Sequence, residues 1–518
     1  MTTRPTTDPP DPPDPRRRSL LALALAAGAA PALVGCGTAS IAWRADPFGL
    51  GVASGCPRAD RVVIWTRIAP SAGPSGPVAV DWEIAADEAF GSVVARGRET
   101  ARAEDGHSVH VEVAGLDPAR WYWYRYTAGG ERSPVGRTRT APAPGSTAPL
   151  AFAIASCQHW ETGRYAAWRH AADEPLDAIV FLGDYIYEGA PRSGRVRRHD
   201  GDGPTVTLDQ YRARYALYRS DPDLRRAHAN FPWILTWDDH EVQNDYANDR
   251  GENLAPDFLV RRAAAYRAWW ENQPLPPSMR PTGPDLRVYG AYDWGSLARF
   301  HVLDDRQYRD WHACPPPGRG GSNTVDVAAC PELVLPARTI LGREQERWLY
   351  DGLARRDVRW NLIAQQTLMA PFTWTKEGRV WTDGWAGYPA ARDRLLDAIA
   401  ERRVDNAVVL SGDVHCHYVC DLKRRVDDPP DRVIASEFCG TSISSEGLPQ
   451  SRVAGALPLN PHVHYGRSDE RGYVSLRLTA DRCEASLRAI SDAGDANATL
   501  RTAARYVVAG GRPGPQRA

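Results

Sequence analysis

Lysine is almost absent: Lys376 and Lys423 are the only two among 63 basic side chains. The positive charge is therefore carried by Arg, whose planar guanidinium suits phosphate but whose abundance also follows from a GC-rich coding sequence. Net charge is missing too, since 64 acidic residues leave a formal −1, and with it goes the electrostatic footprint of a nucleic-acid-binding protein. Beyond an N-terminal leader there is no run of ~18 apolar residues, so no membrane-spanning helix is expected in the body. With 43% hydrophobic and 25% charged residues, the chain is not collagen-like, coiled-coil or wholly disordered. Its 518 residues suit two to four domains at ~100–200 residues each. Nine cysteines are an odd number, which leaves a thiol unpaired or otherwise employed.

The first residues, Thr2 to Pro15, are Pro, Asp and Thr and cannot build a core. Arg16-Arg17-Arg18-Ser19-Leu20-Leu21 comes next, then an uncharged apolar stretch to Val34 that is shorter than the ~20 residues a bilayer needs. This pattern reads as an export signal. The paired arginines resemble the twin-arginine signal, and Leu33-Val34-Gly35-Cys36 resembles a bacterial lipobox in which Cys36 would be acylated. Residues 1–36 are thus expected to direct an extracytoplasmic protein to the periplasm, the cell surface or the medium, with a lipid anchor at Cys36 or cleavage nearby as the two outcomes.

From about Phe48 to Thr140, short alternating runs such as Arg61–Thr66, Val78–Ile84, Ser108–Val113 and Trp121–Tyr126 predict a small antiparallel sandwich over residues 45–142. Ala141-Pro142-Ala143-Pro144-Gly145-Ser146 reads as a linker. Over residues 150–510, apolar runs alternate with helical patterns at Leu208–Ser220, Pro256–Asn272, Gly342–Asp357 and Tyr388–Arg403, which is α/β layering. The apolar runs end on chemically reactive residues. Phe152–Ala155 leads into Ser156-Cys157, Ala178–Leu182 into Gly183-Asp184, Trp233–Trp237 into Asp238-Asp239-His240, Leu362–Ala364 into Gln365-Gln366, and Ala407–Leu410 into Ser411-Gly412-Asp413-Val414-His415. Ligands of α/β sheets bind beyond the carboxyl ends of the strands, so five strands deliver reactive side chains to one rim.

Carboxylates, a thiol, imidazoles and a phenol brought together would repel one another without cations, and metals are the natural counter-charge. Carboxylates suit hard ions; thiolate, phenolate and imidazole suit a transition metal. Singly, each residue has another reading: Cys157 as a small buried hydrophobe, Asp184 as a turn former, His415 as a hydrogen-bonded structural imidazole, Tyr187 as packing. Together at strand ends they favour a metal site.

These residues carry a resemblance. Gly183-Asp184-Tyr185-Ile186-Tyr187-Glu188, Thr236-Trp237-Asp238-Asp239-His240-Glu241-Val242 and Ser411-Gly412-Asp413-Val414-His415 resemble the signature blocks of PhoD-type alkaline phosphatases and phosphodiesterases, within the calcineurin-like metallophosphoesterases. Further blocks agree, among them Gly51–Gly55, Val63–Arg67, Ser156-Cys157-Gln158, Glu437–Ser442 and Arg471-Gly472-Tyr473-Val474. The resemblance implies a four-layer sandwich of two mixed sheets flanked by helices, preceded by an immunoglobulin- or fibronectin-III-like β-sandwich. It implies Fe(III) held by Cys157, Asp184, Tyr187 and His415, and calcium held by the bridging Asp184 with Asp239, Asp413 and Asn244. It implies His240 as the group that contacts phosphate or protonates the leaving alkoxide. The expected activity is hydrolysis of phosphomonoesters or diesters by metal-bound hydroxide, serving phosphate scavenging or surface-polymer turnover, in a monomer. The front block departs from the expected pattern at Cys56, where Asp was expected.

Two other functions compete: purple-acid-phosphatase-like chemistry, which shares Gly-Asp-x-x-Tyr but not Cys157 or Asp238-Asp239-His240, and a surface-binding lipoprotein with a closed structural metal. Cys314 and Cys330 bracket a Pro/Gly-rich insertion and form a candidate disulfide in an exported protein; Cys420 with Cys439 is a second candidate across neighbouring strands. Trp160, Trp237, Trp374, Trp381 and Trp385 are candidates to line the cleft or to pack.

Overall fold

The computed structural model describes residues 41–73, 76–426 and 431–518; the expected export signal over residues 1–36 and the expected lipid site at Cys36 lie outside the described residues. The apolar runs after residue 150 form strands buried along their whole length, as in Ala178–Phe181, Pro232–Leu235, Trp360–Ala364 and Ala407–Ser411. Burial on both faces is what parallel strands covered by further layers require.

The strands divide between two mixed sheets. The first is ten strands wide, in the order Arg512–Arg517, Leu500–Ala509, Arg482–Ile490, Arg471–Leu478, Leu150–Ala155, Ala178–Phe181, Pro232–Leu235, Val52–Gly55, Arg61–Arg67 and Ser108–Ala114. Its centre, from Leu150–Ala155 to Val52–Gly55, is parallel. The second is seven wide, in the order Gly290–Trp294, Ala298–Val302, Trp360–Ala364, Ala407–Ser411, Ala435–Cys439, His417–Leu422 and Val463–Arg467, and its second to fifth strands are parallel.

Strand periodicity assigns side chains to two cores. Leu362, Ala364, Val408 and Leu410 face the first sheet, whereas Ile363 and Val409 face the outer helices. Phe152 and Phe300 meet edge-on across the sheet interface, 5.1 Å between ring centroids. Helices Gly342–Leu353 and Pro389–Glu401 cover the second sheet through Leu349, Leu353, Leu395, Leu396 and Ile399. On the first sheet, Trp168 of helix Ala166–Asp173 and His228 of helix Pro222–Asn230 pack on Trp233. Asp221 caps the latter helix and Pro222 supplies its first residue, a preorganised start. The result is four layers: helix, sheet, sheet, helix.

The front region differs from a self-contained sandwich. Strands Val93–Ala101, Val78–Ala85, Trp121–Ala128, Glu131–Arg132 and Gly136–Arg139 do form a small sheet. Its alternating face, with Val78, Val80, Ile84, Tyr122, Tyr124 and Tyr126, packs on Val52, Val62, Ile64, Val109, Val111 and Val113. Those partners, however, lie on strands that extend the ten-stranded sheet: Ser54 pairs with Pro232 and Gly55 with Trp233, in parallel. Gly55 permits this junction, because a Cβ there would lie 2.5 Å from the Pro274 carbonyl oxygen and 2.8 Å from that of Trp233.

Cys314 and Cys330 are disulfide-bonded, with Cα atoms 6.1 Å apart, and Ala313, Val325, Cys330 and Leu333 give the insertion a small core of its own. Cys420 and Cys439 are not bonded to each other. The antiparallel register pairs Cys420 with Glu437 and Cys439 with Tyr418, so the two thiols do not face each other across the strands. Cys56, Cys157, Cys416 and Cys483 are likewise free and buried. Among the described residues, no helix is long and apolar enough to cross a membrane.

Candidate active site

The strand-end residues meet along one side of the two-sheet sandwich, and their backbone is unusual there. Cys157, Asp184, Asp413 and His415 have φ of 59°, 60°, 63° and 51°, the left-handed region that costs a non-glycine residue ~1–2 kcal/mol. Each chain thus turns sharply out of its strand and aims the side chain at its neighbours, the kind of strain that clusters at functional sites. Gly183 (φ 108°) lets two strand ends touch: a Cβ would stand 2.4 Å from Asp238 Cβ.

Cys157, Asp184 and His415 present a sulfur, a carboxylate oxygen and a ring nitrogen within 4.8 Å of one another. The Tyr187 hydroxyl donates to Asp184 Oδ2 at 2.6 Å and lies 3.1 Å from His415 Nε2. His415 Nδ1 is 2.7 Å from the Glu446 carbonyl oxygen, which places the proton on Nδ1 and leaves the Nε2 lone pair free to bind. Asp184, Asp239 and His240 form a second group, and Asp238, Asp239 and Asp413 a third. Asp184 is common to the first two groups and Asp239 to the last two, so shared carboxylates join all three. Asp184, Asp239, His240, Asn244, Asp413 and His415 line a single cleft of about 480 Å³; Cys157 and Tyr187 lie buried behind it.

The donor set fits cations. Burial and the neighbouring Asp184 and Asp413 push the Cys157 thiol well up, and burial with Asp184 and Cys157 does the same to the Tyr187 phenol. Asp184 and Asp413 are also pushed well above the usual carboxylate range, first by burial. Oδ2 of Asp413 is buried without a hydrogen-bond partner. Such a cluster retains protons unless positive charge is supplied. His240 behaves in the opposite way: against the effect of burial, Asp239, Glu188 and Asp184 raise it well above the ordinary imidazole. Its Nδ1 is 2.7 Å from Glu188 Oε2.

Several supporting residues escaped sequence reasoning. Glu241 accepts the backbone N–H groups of Asp184, Tyr185 and Asp238 at 3.0, 2.7 and 2.9 Å and so ties two strand ends together; burial raises its carboxyl to about 7. Fully buried Arg306 donates to Asp238, to both oxygens of Asp383 at 2.7 and 2.8 Å, and lies 3.7 Å from Asp239. Its signal was present, since Asp304-Asp305-Arg306 comes just after strand Ala298–Val302, a sixth strand end. Ser445 hydrogen-bonds the Tyr187 hydroxyl at 2.8 Å. His159, Glu161 and His199 form a further group of ligand-type atoms, with Glu161 Oε1 accepting the backbone N–H groups of Arg192 and His199.

The structure also separates the tryptophans and places the strand-end glutamine. Trp160, Trp237 and Trp385 are buried packing residues, their indole N–H groups bound to the Arg198 carbonyl, Asp304 and Gln365; Trp374 and Trp381 do line the cleft. Gln366 faces inward, donating to Thr236 Oγ1 and the Trp237 carbonyl at 2.7 Å, and thereby fastens the second sheet to the first.

The four-layer architecture is shared with phosphatases of known structure. A purple acid phosphatase from yellow lupin (Lupinus luteus) seeds superimposes with a TM-score of 0.58 over 88% of this chain and 74% of its own, at 12% identity, a likeness of fold alone. Within that class the chain belongs to the PhoD-like phosphatases: the family model matches residues 152–487 and the model of the family's N-terminal domain matches 35–142. It is 42% identical over 480 residues to alkaline phosphatase D of Bacillus subtilis (strain 168), covering 89% of this chain and 80% of that one. A solved structure of PhoD, 41% identical, superimposes with a TM-score of 0.87 over 92% of each chain. The protein is a hydrolase of phosphoric esters.

Proposed function

We propose that the protein is an exported, metal-dependent alkaline phosphatase or phosphodiesterase that acts outside the cytoplasm, in phosphate scavenging or surface-polymer turnover. One observation carries this reading: a thiol, a phenol, an imidazole and three carboxylates converge at one cleft beside His240, whose imidazole is raised above its ordinary value by Asp239, Glu188 and Asp184. In this reading Cys157, Asp184, Tyr187 and His415 hold Fe(III), while Asp239, Asp413 and Asn244 hold calcium with Asp184 shared. Thiolate and phenolate suit the trivalent ion, and carboxylate and amide oxygens the hard divalent one. When bound, such a pair supplies the charge that activates water and clamps phosphoryl oxygens for in-line displacement.

The chain's own residues do the rest. Asp184, held by the Glu241-anchored backbone and by Tyr187, fixes the spacing of the two halves of the site. His240, with Nδ1 against Glu188, keeps Nε2 as a donor to a phosphoryl oxygen or as the acid for the departing alkoxide. Export through the twin-arginine pathway, with residues 1–36 as the signal and Cys36 as lipid anchor, belongs to the same proposal, as does a monomer built of residues 45–142 and 150–510.

Metal analysis of the exported protein, with hydrolysis of simple mono- and diesters, tests the proposal. Iron and calcium should be present, and Asp184→Ala should lose activity and bound metal together. An active protein without either ion, or an active Asp184→Ala variant, overturns it.

A further inference from the structure

The cleft is far larger than the phosphoryl group. Its volume of about 480 Å³ falls among small-molecule sites, which run ~300–1,000 Å³, and the candidate ligands and His240 make up only part of its lining. Another part of the lining is a chain of aromatic side chains in contact with one another. The rings of Tyr418 and Phe372 lie 5.1 Å apart, those of Phe372 and Trp374 lie 4.7 Å apart, and the Arg452 guanidinium sits over Trp374 at 4.9 Å. All four line the cleft. Further lining comes from the disulfide-bonded insertion and its partner strand: Trp381 lines the same cleft, pairs with Thr324 in a two-stranded sheet and donates its indole N–H to Ser322 Oγ at 2.9 Å. Among the described residues, Arg452 is the only lysine or arginine lining the cleft.

Phosphate recognition does not account for this lining. Phosphate needs charge and donors, whereas the partly exposed Trp374 and Trp381 are flat aromatic rings, whose stacking on a ring is worth ~1–3 kcal/mol per ring. Trp374 is half-buried, in contact with the Phe372 ring and with the Arg452 guanidinium over its own ring, so little conformational freedom remains to be lost on binding.

We propose that these aromatic side chains form a subsite for the organic arm of the substrate, and that the preferred substrates are phosphoesters whose arm bears a flat unsaturated ring. The ring lies against Trp374, and Arg452 closes the outer end of the subsite. The inference rests on the phosphoesterase reading and adds the identity of the arm.

The test compares wild type, Trp374→Ala and Trp374→Phe, all metal-loaded and matched in metal content and thermal midpoint. The substrates are a phenyl phosphodiester and a glycerol phosphodiester. Comparing each variant with wild type on the same substrate cancels differences in leaving-group reactivity. For the phenyl ester, Trp374→Ala should lower kcat/KM roughly tenfold, mostly through KM, with Trp374→Phe restoring most of it. For the glycerol ester the change should stay within about twofold. Equal losses on both substrates, no loss on either, or a hexyl phosphodiester as sensitive as the phenyl one overturns the ring subsite while leaving the phosphoesterase intact. Failure of wild type to hydrolyse any ester overturns both.

Discussion

Arg306→Met offers the sharpest test of how the acidic floor is held. Arg306 has no solvent exposure and sits against three carboxylates, which together with Asp413 raise it well above the usual guanidinium value against the effect of burial. Once it is removed, Asp383 still has Arg309 Nη1 at 2.8 Å and His312 Nε2 at 2.7 Å. Asp238 loses its hydrogen-bonded cation, and its Oδ2 already has no partner. The cost therefore concentrates on one buried carboxylate, and breaking a buried pair costs about 3–5 kcal/mol. Its pH dependence has a definite sign. Burial already raises Asp238 well above its usual range, with Arg306 acting against it, so deleting Arg306 raises it further. A carboxyl raised on folding stabilises below its unfolded value of ~3.9 and loses that contribution as pH rises through the folded value. Urea denaturation of metal-loaded protein should show a loss that deepens as pH rises through the folded value of Asp238, and Asp238→Asn in the Arg306→Met background should recover part of it. A loss under about 1 kcal/mol, a pH-independent loss, or no recovery would refute the reasoning.

Four further outcomes are expected. Glu437 is raised to about 7 by burial, so wild-type stability should decline as pH rises from its unfolded value of 4.5 to about 7, and Glu437→Gln should flatten that slope in denaturation curves. Replacing Cys314 and Cys330 by Ser opens a loop of sequence separation 16 and should cost about 3 kcal/mol on the loop-closure model, read from the denaturation midpoint. Phe300→Ala empties the inter-sheet contact with Phe152 and should cost about 3–5 kcal/mol by the same measurement. Tyr187→Phe should abolish the visible absorption of a ferric phenolate in the iron-loaded protein, and an unchanged spectrum would remove Tyr187 from the proposed ligand set.

The strand ends were legible because buried parallel strands are continuous apolar runs that stop abruptly at Gly-Asp or Asp-Asp-His, a local signal. The pairing of Arg306 with Asp383 was not, although Arg306 follows a strand end, because their meeting depends on contacts 77 residues apart and on which sheet each strand joins. The tryptophans show the same limit: Trp374 and Trp237 both come after apolar segments, but only the packing of Trp237 against Tyr266 and Trp269 turns it into core. The Cys420–Cys439 expectation failed on register, which neighbouring strands do not reveal until paired. The left-handed turns at Cys157, Asp184, Asp413 and His415 carry only a weak compositional mark, since none is glycine and Asp and His are merely enriched at positive φ.

The splice between Val52–Gly55 and Pro232–Leu235 bears on how such a chain can be cut or shuffled. An autonomous accessory module leaves its neighbour intact when it is deleted. Here, deletion up to residue 142 would strip three strands from the ten-stranded sheet and leave Pro232–Leu235 with open N–H and C=O groups along one side, a ready template for aggregation. That strand leads directly into Asp238, Asp239 and His240. The front region therefore has to travel with the hydrolase as one inherited unit, and a truncated catalytic half should be recovered as aggregates even though none of its candidate ligands has been removed.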